Sequence, residues 1–253
     1  MTILAITLIY VYVKGVRITM QWKQTVNKFM RRGLLLFGIL AFVLFASASQ
    51  GGSASAHGNG KWGNAYVRVI HASPAAGTVD VFVDGGKLLS DFTFGTVTPY
   101  VPVPAGPHRI QVAPAGSGAG ASVIDETVRV WAGKSYTVAA LGTASSGFSL
   151  KVFTDYQGPS ATLAKIRVYH LSPDAGPVDI ATGGTTVVSG LTYPHSTPYL
   201  KVPAGTYTFA VTAVNAGATV PLTATVEAGK VYSVFAIGLL SGSPSFTFVV
   251  AVA

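Results

Sequence analysis

The residues of this sequence most able to do chemistry are two histidines and two aspartates that recur at equivalent positions. His71 is followed nine residues later by Asp80, and His170 is followed nine residues later by Asp179. In each case the His ends a stretch typical of a β-strand, Ser-Pro opens a turn, and the Asp lies in the returning strand. Antiparallel pairing could bring each imidazole close to its carboxylate, and such a pair is part of a metal site.

Two interpretations of these His/Asp pairs are open. The first is a ligand site for a divalent metal or a glycan. Zinc, however, takes four ligands, or three and a water, and no third ligand recurs near either pair, so we assign no metal and no cofactor. The second, which we favour, is structural: the imidazole and the carboxylate satisfy each other and nearby backbone groups at a tight turn.

Two further residue types recur at the same offset. Arg68 and Arg167 lie on the face of the strand opposite the His, where a guanidinium more often packs across the sheet and bonds a neighbouring loop than contacts a ligand. Tyr100 and Tyr199 follow Thr-Pro on expected edge strands. Exposed tyrosines there could stack on sugar rings, but a half-buried tyrosine that bonds a turn is the commoner arrangement.

No pattern typical of an enzyme accompanies these residues. The chain has no cysteine, no G-x-S-x-G elbow, no H-E-x-x-H pair and no P-loop. Gly58–Gly63 matches G-x-G-x-x-G, but no strand pattern precedes it and no helix pattern follows it. We therefore assign no catalytic residues and expect a protein that is not an enzyme.

The recurring residues belong to two tandem copies of one domain. Val67–Asp80 returns as Ile166–Asp179 at an offset of 99 residues. Ala132-Gly133-Lys134 returns as Ala228-Gly229-Lys230 at an offset of 96 residues, so the second copy has lost three residues between these blocks.

Each copy has the alternating pattern of a β-sandwich. In the first strand, Val69 and His71 share one face and Arg68 and Ile70 share the other. Asp84-Gly85-Gly86 is typical of a tight hairpin turn. Seven or so short strands separated by Gly and Pro turns predict an all-β fold of two tandem antiparallel β-sandwiches, of immunoglobulin or prealbumin type, after an N-terminal signal segment.

The composition divides the chain into five segments. We assign residues 1–56 to a leader, 57–64 to a flexible tether, 65–156 to the first β-sandwich repeat, 157–163 to a linker and 164–253 to the second repeat. Because the linker is short, we expect it to couple the two repeats loosely rather than set them free.

The leader has the parts of a secretory signal peptide. Residues 33–46 form an apolar run with basic residues just before it, and A-x-A patterns at 46–48 and 54–56 offer cleavage sites. The run is shorter than the ~20 residues of a membrane span, although an uncleaved anchor is the alternative. We therefore predict export to the cell surface or the medium.

A separate apolar stretch at residues 3–13 precedes this signal segment. It does not fit the order of parts in a signal peptide, so one hypothesis is that translation starts at Met20 or Met30. If translation starts at Met1, the prediction of export is weaker.

The net charge of +8 does not indicate a nucleic-acid partner. Six of the 17 basic residues lie before residue 33, whereas none of the nine acidic residues does. The rest of the chain is close to neutral, and such a surface has no electrostatic footprint for a phosphate backbone.

Three blocks resemble one bacterial family. The pattern R-V-x-H-x-S-P followed by V-D, then T-P-Y-x-x-V-P-A-G and A-G-K-x-Y, resembles the family named domain of unknown function 4397, and residues 65–155 and 164–250 both carry it. The resemblance implies secreted or surface-associated β-sandwich modules, often in tandem. It implies no established activity and supplies no catalytic residues.

These observations predict a non-enzymatic exported protein whose tandem modules bind or build the cell envelope or the extracellular matrix. Its partner would be a cell-wall or extracellular polymer or protein, and it would touch the membrane only through the leader. Edge strands rich in Thr and Val could also drive self-association. The alternative is a ligand-binding module for a glycan or a divalent metal.

Overall fold

The computed structural model describes residues 10–13, 16–19, 63–156 and 158–253. The signal-peptide segment, its A-x-A patterns and the tether up to residue 62 lie outside the described residues. The chain divides into two units at residue 57. No helix among the described residues is long and apolar enough to cross a membrane.

In the first unit, two strands form a hairpin. They are β1 (Tyr10–Val13) and β2 (Val16–Thr19), which pair antiparallel.

The second unit contains both repeats, each built from eight strands. The strands of the first repeat are β3 (Asn64–His71), β4 (Val79–Val83), β5 (Gly86–Phe92), β6 (Val101–Pro104), β7 (Gly106–Pro114), β8 (Ile124–Val130), β9 (Ser135–Thr143) and β10 (Gly147–Asp155). A 3-10 turn at Ala119–Ala121 precedes β8. The strands of the second repeat are β11 (Ala164–His170), β12 (Val178–Thr182), β13 (Thr185–Leu191), β14 (Leu200–Val202), β15 (Gly205–Ala213), β16 (Ala218–Val226), β17 (Val231–Ile237) and β18 (Thr247–Val252).

The strands of each repeat form two four-stranded sheets. In the first repeat the orders are β10-β9-β3-β6 and β5-β4-β7-β8; in the second they are β14-β11-β17-β18 and β13-β12-β15-β16. These sheets confirm the predicted all-β sandwich. One detail differs from a purely antiparallel fold, because β3 pairs parallel with β9 and β11 pairs parallel with β17.

The predicted hairpin turn joins β4 to β5. Asp84 and Gly85 have φ angles of 51° and 83°, and Val83 pairs with Gly86. Two consecutive positive φ values match the twist of the flanking strands, and Asp-Gly tolerates them at little cost. The second repeat reaches the same geometry with Gly183 and Gly184.

Each sandwich has its own apolar core between its two sheets. In the first repeat, Val79, Val81, Val112 and Ile124 lie between the sheets and Val69 packs against them. Val69 therefore lies on the inward face of β3, whereas Ile70 belongs to a different cluster on the opposite face, so the two residues alternate as predicted. A larger cluster that includes β11, β12, β15 and β17 fills the second sandwich.

A further buried cluster draws on both repeats. Sheet β10-β9-β3-β6 and sheet β14-β11-β17-β18, which we call the inner sheets, meet at their outward faces. The cluster contains Ile70, Ala72, Ala139, Leu141 and Phe153 from the first repeat and Tyr169, Leu171, Phe235 and Ile237 from the second. The two sandwiches therefore share a core instead of being coupled loosely through the linker.

The shared core explains the composition of the central strands. All residues of β17 and all but the last of β9 are buried, because each strand is covered by its own sandwich on one face and by the other repeat on the opposite face. Strands covered on both faces read as nearly continuous apolar runs.

Candidate functional site

A buried arginine lies at the centre of the interface between the inner sheets. Arg68 is 2% exposed. Its Nε donates a hydrogen bond to Thr137 Oγ1 at 2.8 Å, and its Nη2 donates one to Ser233 Oγ of the second repeat at 2.6 Å. Its guanidinium also lies over the rings of Tyr100 and Phe235, 4.6 and 5.1 Å from their centroids.

The carboxylate that balances this charge belongs to Asp155, at the end of β10. Its side chain is fully buried, and one oxygen lies 3.8 Å from Arg68 Nη2. The same carboxylate accepts hydrogen bonds from Tyr100 at 2.7 Å, from Thr137 and from Tyr169 of the second repeat. Its acceptor capacity is thus used within the protein.

The second arginine reaches the same carboxylate from the other repeat. Arg167 Nη1 lies 3.1 Å from Asp155 Oδ1 and also donates to the carbonyl of Thr154 at 2.6 Å. Its Nε donates to the carbonyl of Thr197 in the loop between β13 and β14. Asp155 is therefore shared by the equivalent arginines of both repeats.

Tyr169 closes this network from the β11 side. Its hydroxyl donates to Asp155, and its ring stacks on Phe235 with centroids 4.7 Å apart. Burial, reinforced by the nearby Asp155 charge, raises the pKa of Tyr169 far above its ordinary value of 10.0. The phenol stays neutral and acts as a hydrogen-bond donor across the interface.

This network can stabilise the packing of the repeats because its buried donors and acceptors are bonded to one another. A buried charge pair roughly balances its desolvation cost only when the remaining donors and acceptors are satisfied, and removal of one partner then costs about 3–5 kcal/mol. We call Arg68, Thr137, Asp155, Arg167, Tyr169 and Ser233 the interface network.

Burial also separates the two histidines from solvent. The Nε2–H groups of His71 and His170 donate to the carbonyls of Gly77 and Gly176 at 2.8 and 2.7 Å. These bonds fix the tautomer, because a carbonyl only accepts. The buried Nδ1 atoms have no hydrogen-bond partner among the described residues. Burial lowers the pKa of both imidazoles, so both are neutral.

The aspartates make bonds of their own and do not pair with the histidines. Asp80 accepts from Lys87 Nζ at 2.6 Å and from the backbone N–H groups of Asp91 and Gly116. The Lys87 bond, followed by these two N–H groups, lowers its pKa to about 2.

In the second repeat, Asp179 accepts from the N–H of Gly190 at 2.7 Å. Residues nine apart on these two strands therefore do not meet, since each His turns to the carbonyl of its own turn and each Asp turns to the β5 or β13 backbone. Among residues 63–156 and 158–253, no group of three or more His, Asp or Glu side chains could hold a metal ion.

Both predicted tyrosines are half-buried with their hydroxyls bonded. Tyr100 donates to Asp155, and Tyr199 accepts from the N–H of Tyr156 at 3.0 Å. Guanidinium groups lie over both rings, that of Arg68 over Tyr100 and that of Arg167 over Tyr199. These rings therefore complete the interface rather than offer a free stacking surface.

The sequence reasoning missed Asp155, Thr137 and Ser233. Asp155 ends its strand and has no acidic counterpart near the end of β18, so it was not part of the repeat pattern. Thr137 and Ser233 occupy equivalent positions 96 residues apart. Polar residues within the nearly continuous apolar runs of β9 and β17 were the available signal, because such residues must be bonded to a buried partner.

Both repeats match one known protein family. The family described as "Domain of unknown function (DUF4397)" matches residues 65–181 and 164–252. The chain belongs to this family. The two matches overlap over β11 and most of β12, and together they cover both repeats, as the DUF4397 resemblance predicts.

Other comparisons add little to the DUF4397 assignment. No curated protein matches the chain. Among solved structures, the fimbrial anchor protein Mfa2 from Porphyromonas gingivalis is matched at 11% identity over 75% of this chain and 96% of that chain, with a TM-score of 0.20. A TM-score of this size is too low to indicate a common fold.

Proposed function

We propose that this protein is a non-enzymatic structural or binding module of the cell envelope or extracellular matrix, in which the two sandwiches act as one rigid unit. The observation that carries the proposal is the interface network, in which Asp155 is held by arginines of both repeats. The polar side chains of the interface network are thus bonded to one another and fix the two repeats relative to each other.

Rigidity is the property that such a network supplies. Inter-domain interfaces held mainly by exposed polar contacts permit motion, whereas large apolar interfaces do not. Here the apolar cluster around Ile70, Tyr169 and Phe235 surrounds the charges. A stiff unit that keeps its surfaces at a fixed separation suits a component of a wall or matrix. The predicted signal peptide provides the route to that location.

Two neighbouring exposed aromatic side chains indicate where a polymer could bind. Trp131 is 58% exposed in the turn after β8, and Tyr66 is 45% exposed on β3. The two segments are adjacent, because the N–H of Tyr66 donates to the carbonyl of Lys134 in the same turn. Amphipathic aromatic rings at a surface suit contacts with polymers that have both apolar and polar groups.

The alternative, a ligand-binding module for a glycan or a metal at the His/Asp pairs, fits the geometry less well. His71 and His170 are fully buried, and each uses its donor on its own turn. The variant His71→Ala distinguishes the two ideas. We expect it to lower the melting temperature, whereas loss of glycan or metal binding at an unchanged melting temperature would favour the ligand site.

Cell fractionation followed by co-sedimentation tests the proposal. We expect the full chain in the envelope or medium fraction of the producing cell, and we expect it to co-sediment with isolated envelope material. Trp131→Ala should weaken co-sedimentation without lowering the melting temperature. Val214→Ala, at another exposed site, should leave both co-sedimentation and the melting temperature unchanged. A cytosolic chain that stays in the supernatant would contradict the proposal.

A further inference from the structure

The edges of the sheets differ in how well they are protected against pairing with another chain. Residues 63–156 and 158–253 form four sheets with eight edge strands. Proteins block such edges with charges, prolines, bulges or very short strands. Seven of these eight edges carry a block. They are β5, β8 and β10 with charged residues, β6 and β16 with prolines, β13 with register shifts against β12, and β14 with three residues and a lysine.

The eighth edge strand, β18, has none of these blocks. Its sequence, Thr-Phe-Val-Val-Ala-Val, contains no charge and no proline, and its pairing with β17 runs without a register shift. Val250 is 42% exposed and Val252 is 56% exposed. An uncharged, regular strand with exposed valines at a sheet edge is a template for an added strand.

Comparison with β10, the equivalent edge of the first repeat, shows what is missing. Lys151 pairs with Ala139 of β9, and Val249 pairs with Phe235 of β17. Ala139 and Phe235 are equivalent, 96 residues apart, so Val249 occupies the register position of Lys151. Lysine on an edge strand opposes pairing with another chain, and the second repeat has lost that lysine.

We propose that the free edge of β18 pairs antiparallel with β18 of a second copy of this chain. Two-fold antiparallel pairing sets residue i of one copy opposite residue j of the other and j opposite i, so a charge near the two-fold axis would meet a like charge. β18 has none, and valines opposite one another pack well across strands. The inner sheet of each copy would become half of a continuous eight-stranded sheet. This inference goes beyond the proposed function and does not depend on it.

Single cysteines test the pairing directly, because the chain has none of its own. Val250→Cys and Val252→Cys are made separately in the full chain, with Val187→Cys on β13, a valine 41% exposed on a blocked edge, as the matched control. After mild oxidation at low protein concentration, we expect disulfide-linked dimer in one or both β18 variants, at least fivefold above the control. Equal cross-linking in all three variants would overturn the proposal.

A charge placed on the strand provides the second test. Val250→Lys should convert a dimer measured by light scattering into a folded monomer with the far-UV circular dichroism of the wild type, whereas Val187→Lys should leave the dimer intact. Every variant keeps residues 1–62, so any association through that segment is common to all variants and cannot cause a difference between Val250→Lys and Val187→Lys. A wild-type monomer, or a Val250→Lys protein that associates like the wild type, would overturn the proposal. Envelope binding is measured in a separate co-sedimentation assay, so failure of that assay does not affect the measurement of the dimer.

Discussion

Arg68 of the first repeat donates a hydrogen bond to Ser233 of the second repeat, with 2.6 Å between Nη2 and Oγ. The Nε of the same guanidinium donates to Thr137, which is the equivalent of Ser233 in the first repeat. One arginine thus bonds the same hydroxyl position in both copies. This contact ties the central strands β9 and β17 together across the shared core, and in a free domain water would have to replace Ser233 as the acceptor for Nη2.

Substitution of Asp155 by asparagine should destabilise the protein strongly. The change keeps the shape of the side chain but leaves Arg68 buried without its counter-charge, and we expect a loss of roughly 3 kcal/mol or more in the free energy of unfolding. Urea unfolding followed by fluorescence measures it.

The matched control is Asp125→Asn, which removes the exposed partner of Arg109. Exposed ion pairs contribute little to stability, because water screens them. The stability of this variant should stay close to that of the wild type. Equal losses for the two variants would show that the interface network does not hold the repeats together.

Alanine at Gly142 should disrupt the β9–β10 hairpin. Gly142 has a φ of 96°, and a Cβ there would lie 1.9 Å from the carbonyl oxygen of Gly147. Gly116 has a φ of 78° but open space around its Cβ position, so Gly116→Ala measures the cost of the backbone conformation alone. We expect Gly142→Ala to lose ~2 kcal/mol more than Gly116→Ala in chemical denaturation. Similar losses would show that the hairpin can move away from the added methyl group.

Acid should weaken the fold through the two buried histidines. Burial lowers the pKa of His71 and His170 below 6.5, so below pH 6.5 the unfolded chain binds protons that the native protein resists. The free energy of unfolding should therefore fall as the pH drops from about 6.5 towards the lowered pKa values. Urea titrations at several pH values measure this slope, and His71→Gln should make it shallower.

His108 provides a control of opposite sign. Burial lowers its pKa, but its hydrogen bond to Asp84 outweighs that effect and the net pKa is raised. Its stabilising contribution is present below pH 6.5 and is lost as the pH rises through its folded pKa. His108→Gln should therefore steepen the loss of stability in acid. The same slope in the wild type, His71→Gln and His108→Gln would contradict the opposite pKa shifts of His71 and His108.

The pKa of Asp80 should depend on Lys87. The second repeat has Thr186 at the position of Lys87, so Lys87→Thr is a substitution that the fold already accommodates. It removes the largest cause of the low Asp80 pKa and should raise that pKa from about 2 towards 3.8. An NMR titration of the carboxyl carbons measures the shift. An unchanged pKa would mean that the N–H groups of Asp91 and Gly116 suffice to hold it.

The sequence was sufficient to predict the strands and turns because each is decided locally. Alternation placed Val69 and Arg68 on opposite faces of β3, and Asp84-Gly85 marked a turn that requires positive φ. The repeat then carried each assignment from one copy to the other.

The interface between the repeats could not be predicted in the same way. The alternation in β3 shows that Arg68 and Ile70 share a face, but it does not say whether water or another sheet covers that face. Asp155 has no counterpart in the second repeat, so the repeat pattern does not reveal it. The prediction that each His pairs with its Asp was wrong, because spacing along two strands does not determine which partner a side chain bonds at a turn.

Differential scanning calorimetry of the full chain tests most directly whether the two repeats form one unit. We predict that both sandwiches unfold in a single transition whose calorimetric and van't Hoff enthalpies agree, and that Asp155→Asn lowers the temperature of that transition. Two separate transitions in the wild-type protein, one for each sandwich, would contradict a shared core and the rigid unit on which the proposed function rests.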